Sequence, residues 1–380
     1  MLASIAIHAP IQSNVPTPTR RALRRWGALA AALLCLVLGL AVPVMVGVEL
    51  GMMALVLGLA LATLPVPLYV TMLLWIDRFE AEPPELLGLS FFLGATASVF
   101  TAAVANTAIR GWAGGEPALE VWVIASGPVV EELSKGAVLI GLFLRRKDEF
   151  DGVLDGIVYA GMVGLGFAMA ENIQYYGHAA FAGGVPAGTR MFVLRGLLAP
   201  FAHPLFTAAT GLGLGLALRA RRSGLKLALG VFGLIGSVAL HAIWNLSAMY
   251  GGATLKATYV FVMVPVFALG LLIIALEIRR EGRIVAEQLL RELRAGLLSP
   301  AEHARLASVP ARLAARWQAL RRGGFVAWRA SARPHQLAGE LALLRQRGAA
   351  GEIAADDATR ARESALVDSL IAALRATDDG

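Results

Sequence analysis

Cysteine is almost missing from this chain: Cys35 alone occurs in 380 residues. One cysteine allows neither a disulfide framework nor a cysteine metal cluster within one chain. Inside an apolar run it reads as a small residue facing lipid or a neighbouring helix. Charge is also scarce, at 16% of residues, where a soluble globular chain averages about 25%. With 57% hydrophobic residues, that scarcity excludes an ordinary soluble domain and points to a polytopic membrane protein. The formal net charge of +7 raises nucleic acid as a partner. The cations lie mainly in loops between apolar segments, which is a topology signal instead, so no nucleic-acid partner is expected. Several chemical signatures are absent as well. There is no Gly-x-Ser-x-Gly, no His-Glu-x-x-His, no phosphate loop and no dinucleotide fingerprint. No pair of intramembrane aspartates exists either, because Asp155 stands alone near the inner end of its segment.

What is present is a series of apolar segments of spanning length, about 20 residues or more each. Eight of them run approximately over 27–48, 52–76, 86–109, 118–144, 152–177, 190–218, 226–250 and 254–277. One set of connections carries the N-terminal arginines, Arg78, Arg145, Arg146, Lys147, Arg219, Arg221, Arg222, Lys226, Arg279, Arg280 and Arg283. The other set carries only Arg110, Arg190 and Lys256. The positive-inside rule then places both termini in the cytoplasm and the chain in the cell membrane as a multi-pass protein. The weakest points of the count are the short first connection at Glu49–Gly51 and the glycine and proline content of the sixth segment.

The fold class expected is all-α, an eight-helix transmembrane bundle with a helical tail. Residues 1–26 read as a disordered cytoplasmic leader, 27–278 as the membrane domain and 279–380 as a cytoplasmic helical tail. The run after the leader is too long for a signal-peptide core and is expected to be retained. The loop from Asp77 to Glu85 reads as a turn, with Pro83 and Pro84 opening the next helix. In the tail, Ser299-Pro-Ala-Glu302 has the form of a capping box. Leu306, Leu313 and Trp317 follow helical spacing, as do Leu337, Leu341 and Leu344. Breaks are expected at Gly323-Gly324 and over 348–352. The basic faces of this tail read as solvated rather than as lying on anionic lipid.

The stretch that organises the membrane domain is Pro128-Val-Val-Glu131-Glu132-Leu-Ser-Lys135-Gly136, in the middle of its span. A charge there costs roughly +2.5 to +3.5 kcal/mol on insertion scales. Glu131 and Lys135 are four apart and can pair on one face. Glu132 is turned about 100° away and can face the bundle interior. The bland alternative is an ion pair that only fastens helices together. More polar residues follow on later spans: Glu171 and Asn172, Arg195, His203 between Pro200 and Pro204, then His241 and Asn245. By helical rise, Glu131 and His203 lie near mid-depth, and Glu171 and His241 about 10–14 Å from the outer end. They can meet in one polar cavity.

A buried carboxylate can take a proton from water and return it to a leaving amine. Imidazoles can orient that water or bind a divalent metal that activates it. An asparagine amide can donate to a developing oxyanion. Water-dependent hydrolysis fits these residue types. A proton- or ion-coupled transporter would use the same ones, and a non-catalytic membrane scaffold would keep them for packing.

The ordered set Glu131-Glu132-Leu-Ser-Lys135, Phe167-x-x-x-Glu171-Asn172, His203 and His241-x-x-x-Asn245 resembles the PrsW family of intramembrane proteases. The loop Asp77-Arg78-Phe79-Glu80 to Glu82-Pro83-Pro84 resembles that family's acidic-proline stretch. The resemblance covers about residues 70–250 and leaves the tail outside. It implies a membrane-bound metallopeptidase, in a superfamily with the CAAX-prenyl endopeptidases and Aph-1, acting on a membrane-protein or peptide substrate such as an anti-sigma factor at site 1. Carried over, Glu131 or Glu132 is the general base. His203 and His241 bind a divalent metal such as zinc, or orient the water directly. Glu171 is a third ligand or an assisting acid, and Asn245 an oxyanion donor. Lys135, Phe167, Asn172 and Arg195 are supporting residues.

Overall fold

The computed structural model describes residues 33, 37–76, 82–114, 117–146, 150, 152–351, 354 and 356–378. The leader 1–26, the start of the first apolar run with Cys35, and Asp77–Glu80 lie outside the described residues. Among the described residues there are helices and no strand. In chain order the first are α1 (Val37–Leu50), α2 (Met52–Thr63), α3 (Val66–Ile76), α4 (Pro84–Leu93), α5 (Val99–Ala113) and α6 (Pro117–Arg145). Then come α7 (Val153–Phe192), α8 (Ala202–Arg219), α9 (Ser223–Tyr250), α10 (Gly252–Thr258) and α11 (Val264–Gln288). The tail adds α12 (Leu290–Arg294), α13 (Pro300–Ala307), α14 (Val309–Ala330), α15 (Arg333–Ala349) and α16 (Asp357–Asp378). Among the described residues five helical stretches are long and apolar enough to cross a membrane: Met52–Ile76, Pro84–Ala113, Val153–Arg219, Ser223–Tyr250 and Gly252–Arg294. The chain is a helical membrane protein.

Helix α7 is the axis of the bundle. Its residues from Val153 to Ala168 are buried without interruption, and α2, α4 and α8 pack around it. Close approach is possible because the contact faces are glycine-rich, as in many membrane bundles. A Cβ on Gly156 would sit 2.2 Å from the Gly211 carbonyl oxygen of α8. One on Gly164 would sit 2.7 Å from the His203 carbonyl oxygen. The helix starts at Gly152, whose N–H donates to Asp155 at 2.5 Å, and it breaks at Gly183 and Gly184, the latter at φ 67°. Pro83 and Pro84 do open α4, with Glu85 in its first turn.

The sixth apolar segment is not one continuous helix. A π-helical turn spans Val193–Leu198, the chain leaves helical geometry at Ala199 to Phe201, and α8 begins at Ala202. Pro200 cannot supply a helical N–H, while Pro204 falls in the first turn, where that N–H has no intrahelical acceptor. His203 therefore sits in the first turn of a helix inside the bundle.

The tail has its own apolar core. Leu306, Leu337, Leu341 and Leu370 join Ile284, Val285 and Leu289 from the end of α11. The capping box at Ser299 forms as read, with Ser299 N–H donating to Glu302 at 2.7 Å and Glu302 N–H to the Ser299 hydroxyl at 3.2 Å. Breaks appear at Gly324 and Gly351, both at positive φ.

Candidate active site

Four elements bring their polar residues to one place. Glu131, Glu132 and Lys135 come from α6, Glu171 from α7, His203 from the start of α8 and His241 from α9. Glu132 is fully buried and its carboxylate is saturated. Oε1 accepts from Lys135 Nζ at 2.5 Å and from His241 Nδ1 at 2.9 Å. Oε2 accepts from the hydroxyls of Thr207 at 3.1 Å and Ser237 at 2.5 Å. Lys135 thus pairs with Glu132 at i,i+3, not with Glu131 at i,i+4. Both spacings share a helix face. What decides is that Glu132 meets three further donors from α8 and α9.

Glu131 is the contrasting carboxylate. It is buried, its Oε2 lies 3.6 Å from His241 Nε2, and that oxygen has no hydrogen-bond partner among the described residues. Such an orphan is rare for a buried polar atom. His241 is fixed by its neighbour: Glu132 can only accept, so Nδ1 carries the hydrogen and Nε2 turns its lone pair towards Glu131.

His203 is held from both sides. Lys135 Nζ is 3.2 Å from its Nδ1, and Glu171 Oε2 is 2.8 Å from its Nε2. The ammonium can only donate, so Nε2–H donates to Glu171. Glu171 also accepts from Arg195, whose Nε donates to Asn172 Oδ1 at 2.7 Å. The guanidinium lies 3.8 Å over the Tyr175 ring. Phe167 lies under Lys135, 3.9 Å from the ammonium to the ring centroid, and its ring is 5.4 Å from that of His203. The two imidazoles are edge to face at 4.9 Å.

The structure therefore brings together Glu131, Glu132, Glu171, His203 and His241, with Lys135, Phe167, Asn172 and Arg195 around them. Asn245 lies one turn beyond His241 on α9, half-buried, and among the described residues it joins none of the cluster's hydrogen bonds. Two members escaped the sequence reading, Thr207 and Ser237. Each lies one helical turn from a histidine, at His203 + 4 and His241 − 4, and that spacing was the available signal.

A metal ion has a plausible set of donors. Glu131, His203 and His241 each offer a ligand atom, all within 4.8 Å of one another. The orphaned Glu131 oxygen and the free Nε2 of His241 suit a cation, and Glu132 on His241 Nδ1 is the outer partner that metal-bound imidazoles usually have. The third donor, His203, has its lone pair taken up by Lys135, so ligation would exchange that bond. Glu171 lies behind His203, bound to it and to Arg195.

A void of about 20 Å³ borders His203, Asn172, Arg195 and Trp244, room for roughly one water. It shares Ala199, Pro200, Ala202 and Trp244 with an apolar cleft of about 250 Å³ that continues to Tyr259, Met263 and Phe267. Tyr259 hydroxyl donates to the Leu198 carbonyl at 2.9 Å across this cleft.

Residues 82–270 match the family model described as PrsW family intramembrane metalloprotease. The chain is 34% identical over 142 residues to Protease PrsW of Geobacillus kaustophilus, covering 37% of this chain and 57% of the relative. It is 32% identical over 140 residues to Protease PrsW of Bacillus subtilis, covering 37% and 59%. The chain thus spans a little over half the length of the curated relatives it matches. No solved structure matches.

Proposed function

We propose that this chain, whose residues 82–270 match the model of the PrsW family of intramembrane metalloproteases, is an endopeptidase that hydrolyses peptide bonds of membrane-bound substrates. The observation that carries this reading is the orphaned Glu131 oxygen, buried and aimed at His241 Nε2. A carboxylate left without a partner beside an oriented imidazole suits a water molecule between them. Glu131 takes the proton of that water as it attacks the carbonyl carbon, and delivers it to the departing amine. His241, kept in one tautomer by Glu132, orients the water through Nε2. His203, gripped by Lys135 and Glu171, faces the same space. Asn245 is the remaining amide on the right face of α9 to stabilise the oxyanion.

Glu132 is a positioning residue in this scheme, because all its acceptor capacity is used within the protein. In a metal-bound form, Glu131, His203 and His241 would instead hold a divalent cation such as zinc, which would supply Lewis acidity and a more acidic water; the proton-acceptor role of Glu131 belongs to the arrangement in which a water occupies that space. The apolar cleft leading to the water-sized void suits an unwound stretch of a membrane-embedded substrate. An anti-sigma factor is the substrate class that the resemblance implies.

The topology proposed is eight passes, built from α1, α2 with α3, α4 with α5, α6, the first part of α7, the second part of α7 with α8, α9, and α10 with α11. Both termini are then cytoplasmic, with 1–26 as leader, 27–278 as the membrane domain and 279–380 as tail. Alternating cationic connections support it.

Cleavage of single-span reporter peptides by the purified full-length protein tests the activity, with and without chelator. Cleavage should occur at a position inside the reporter's apolar span, and metal content should fall in His203→Ala. A protein that binds no metal and cleaves no reporter, yet shuttles protons across vesicles, would return the site to a transporter.

A further inference from the structure

Helix α14 is mounted the wrong way round for a helix in water. Its Arg312 points into the protein, 4% exposed, with Nε donating to the Leu306 carbonyl at 2.7 Å. Val309 at its start packs on the tail core, but further along two apolar residues point out: Leu313 is 43% exposed and Trp317 61%. At Gly324, φ 68°, the helix turns, and just past the turn Phe325 is 66% exposed and Val326 80%. The returning arm folds back on the first, with the Arg316 guanidinium 4.1 Å over the Trp328 ring and Phe325 stacked on Trp328. An amphipathic helix ordinarily turns its apolar stripe to its own core. Here Leu313 and Trp317, one turn apart, and the Phe325-Val326 tip beyond the turn are all exposed.

Charge identifies what it faces. From His303 to Gly339 there is no Asp or Glu, while arginine occurs at 305, 312, 316, 321, 322, 329 and 333. Arg321, Arg322 and Arg329 flank the tip and are exposed. Aromatic and aliphatic residues bordered by arginines are the composition of an element lying in a bilayer interface. Position agrees. The tail core is built on Ile284, Val285 and Leu289, only about 15 Å of helical rise beyond Arg279 at the end of the last apolar run.

We propose that α14 docks on the anionic phospholipid surface of the bilayer that holds the bundle, with Trp317, Phe325 and Val326 in the interface and Arg321, Arg322 and Arg329 on lipid phosphates. This replaces the solvated face expected from sequence, because the exposed stripe is apolar rather than basic.

The test uses the full-length protein in nanodiscs, on a Cys35→Ser background, with an environment-sensitive fluorophore attached after Val326→Cys. Trp317→Cys serves as a second labelling position, and Asp357→Cys as an exposed control. Discs contain phosphatidylcholine alone or mixed with phosphatidylglycerol. With phosphatidylglycerol, the label at 326 or 317 should shift to the blue and be quenched several-fold more by a spin-labelled lipid than with phosphatidylcholine alone. The control label should not change. Adding Arg321→Gln and Arg322→Gln should remove most of the difference. A label that stays water-like in both discs overturns the proposal, as does equal protection in both. Protection that appears only when two copies share a disc overturns it in favour of a second copy of this chain.

Discussion

In the bundle, Glu132, Lys135 and His241 are buried while leucines and phenylalanines lie exposed. In the tail, Leu306, Leu341 and Leu370 are fully buried, and the main ion network sits at the edge of that core. That network is Arg345, donating to both oxygens of Glu292 at 2.7 and 2.8 Å and to Glu363 at 2.7 Å. The two regions invert each other. In lipid, apolar residues gain little by moving inward, so close helix contact and internal hydrogen bonds hold the helices together. In water, apolar burial is the main driving force. Polar burial in the bundle is therefore expected to serve a reaction, and in the tail to serve stability.

The largest break in this comparison is expected from Glu131→Gln. It keeps shape and removes the proton acceptor, so reporter cleavage should fall by about 10²–10⁴-fold, with thermal unfolding in detergent nearly unchanged. Next is Glu132→Gln. It leaves Lys135 buried without its counter-ion, a loss of about 3–5 kcal/mol. Activity and thermal stability should fall together, whereas Glu131→Gln separates them.

Leu341→Ala sharpens the contrast from the other side. Removing a fully buried leucine costs about 2–5 kcal/mol. Hydrogen exchange should speed up in α13, α15 and α16, with slow exchange kept in α7.

The smallest effect near neutral pH is a pH dependence confined to the tail, which grows only on strong acidification. Burial, with Arg312, Arg305 and Arg316 nearby, pushes His335 down to about 3. The unfolded chain takes up this proton near its ordinary value of about 6.5. Between those values the unfolded state binds more protons, so stability falls as pH drops, by up to about 1.4 kcal/mol per pH unit. A tail that loosens on acidification in the wild type but less so in His335→Gln agrees with this. An identical acid response in both variants contradicts it.

Much of the site was legible because charged residues in apolar helices have few bland explanations. Glu131, Glu132, Glu171, His203 and His241 were each conspicuous against their spans. Their partners were less so. Thr207 and Ser237 are ordinary residues in a membrane helix, and only their one-turn offset from a histidine marks them. The pairing of Lys135 was misread because spacing along one helix cannot weigh donors arriving from two others. The break before His203 was signalled by Pro200 and Pro204, yet its consequence, a histidine at a helix start, needed the path of the chain. In the tail, periodicity located the helices and their caps. It did not reveal that Leu337 and Leu341 turn inward while Leu313 and Trp317 turn outward, since helical spacing is the same for either face.

Helix α11 joins the two regions as a single rod. Val264 and Phe267 near its start wall the apolar cleft, and Ile284 and Val285 near its end are locked in the tail core. About 30 Å of unbroken helix separates these ends. A stiff lever of that length converts a tilt of a few degrees at the tail into a displacement of roughly an ångström or two at the cleft wall. The same rod therefore builds a wall of the apolar cleft at one end and part of the tail core at the other.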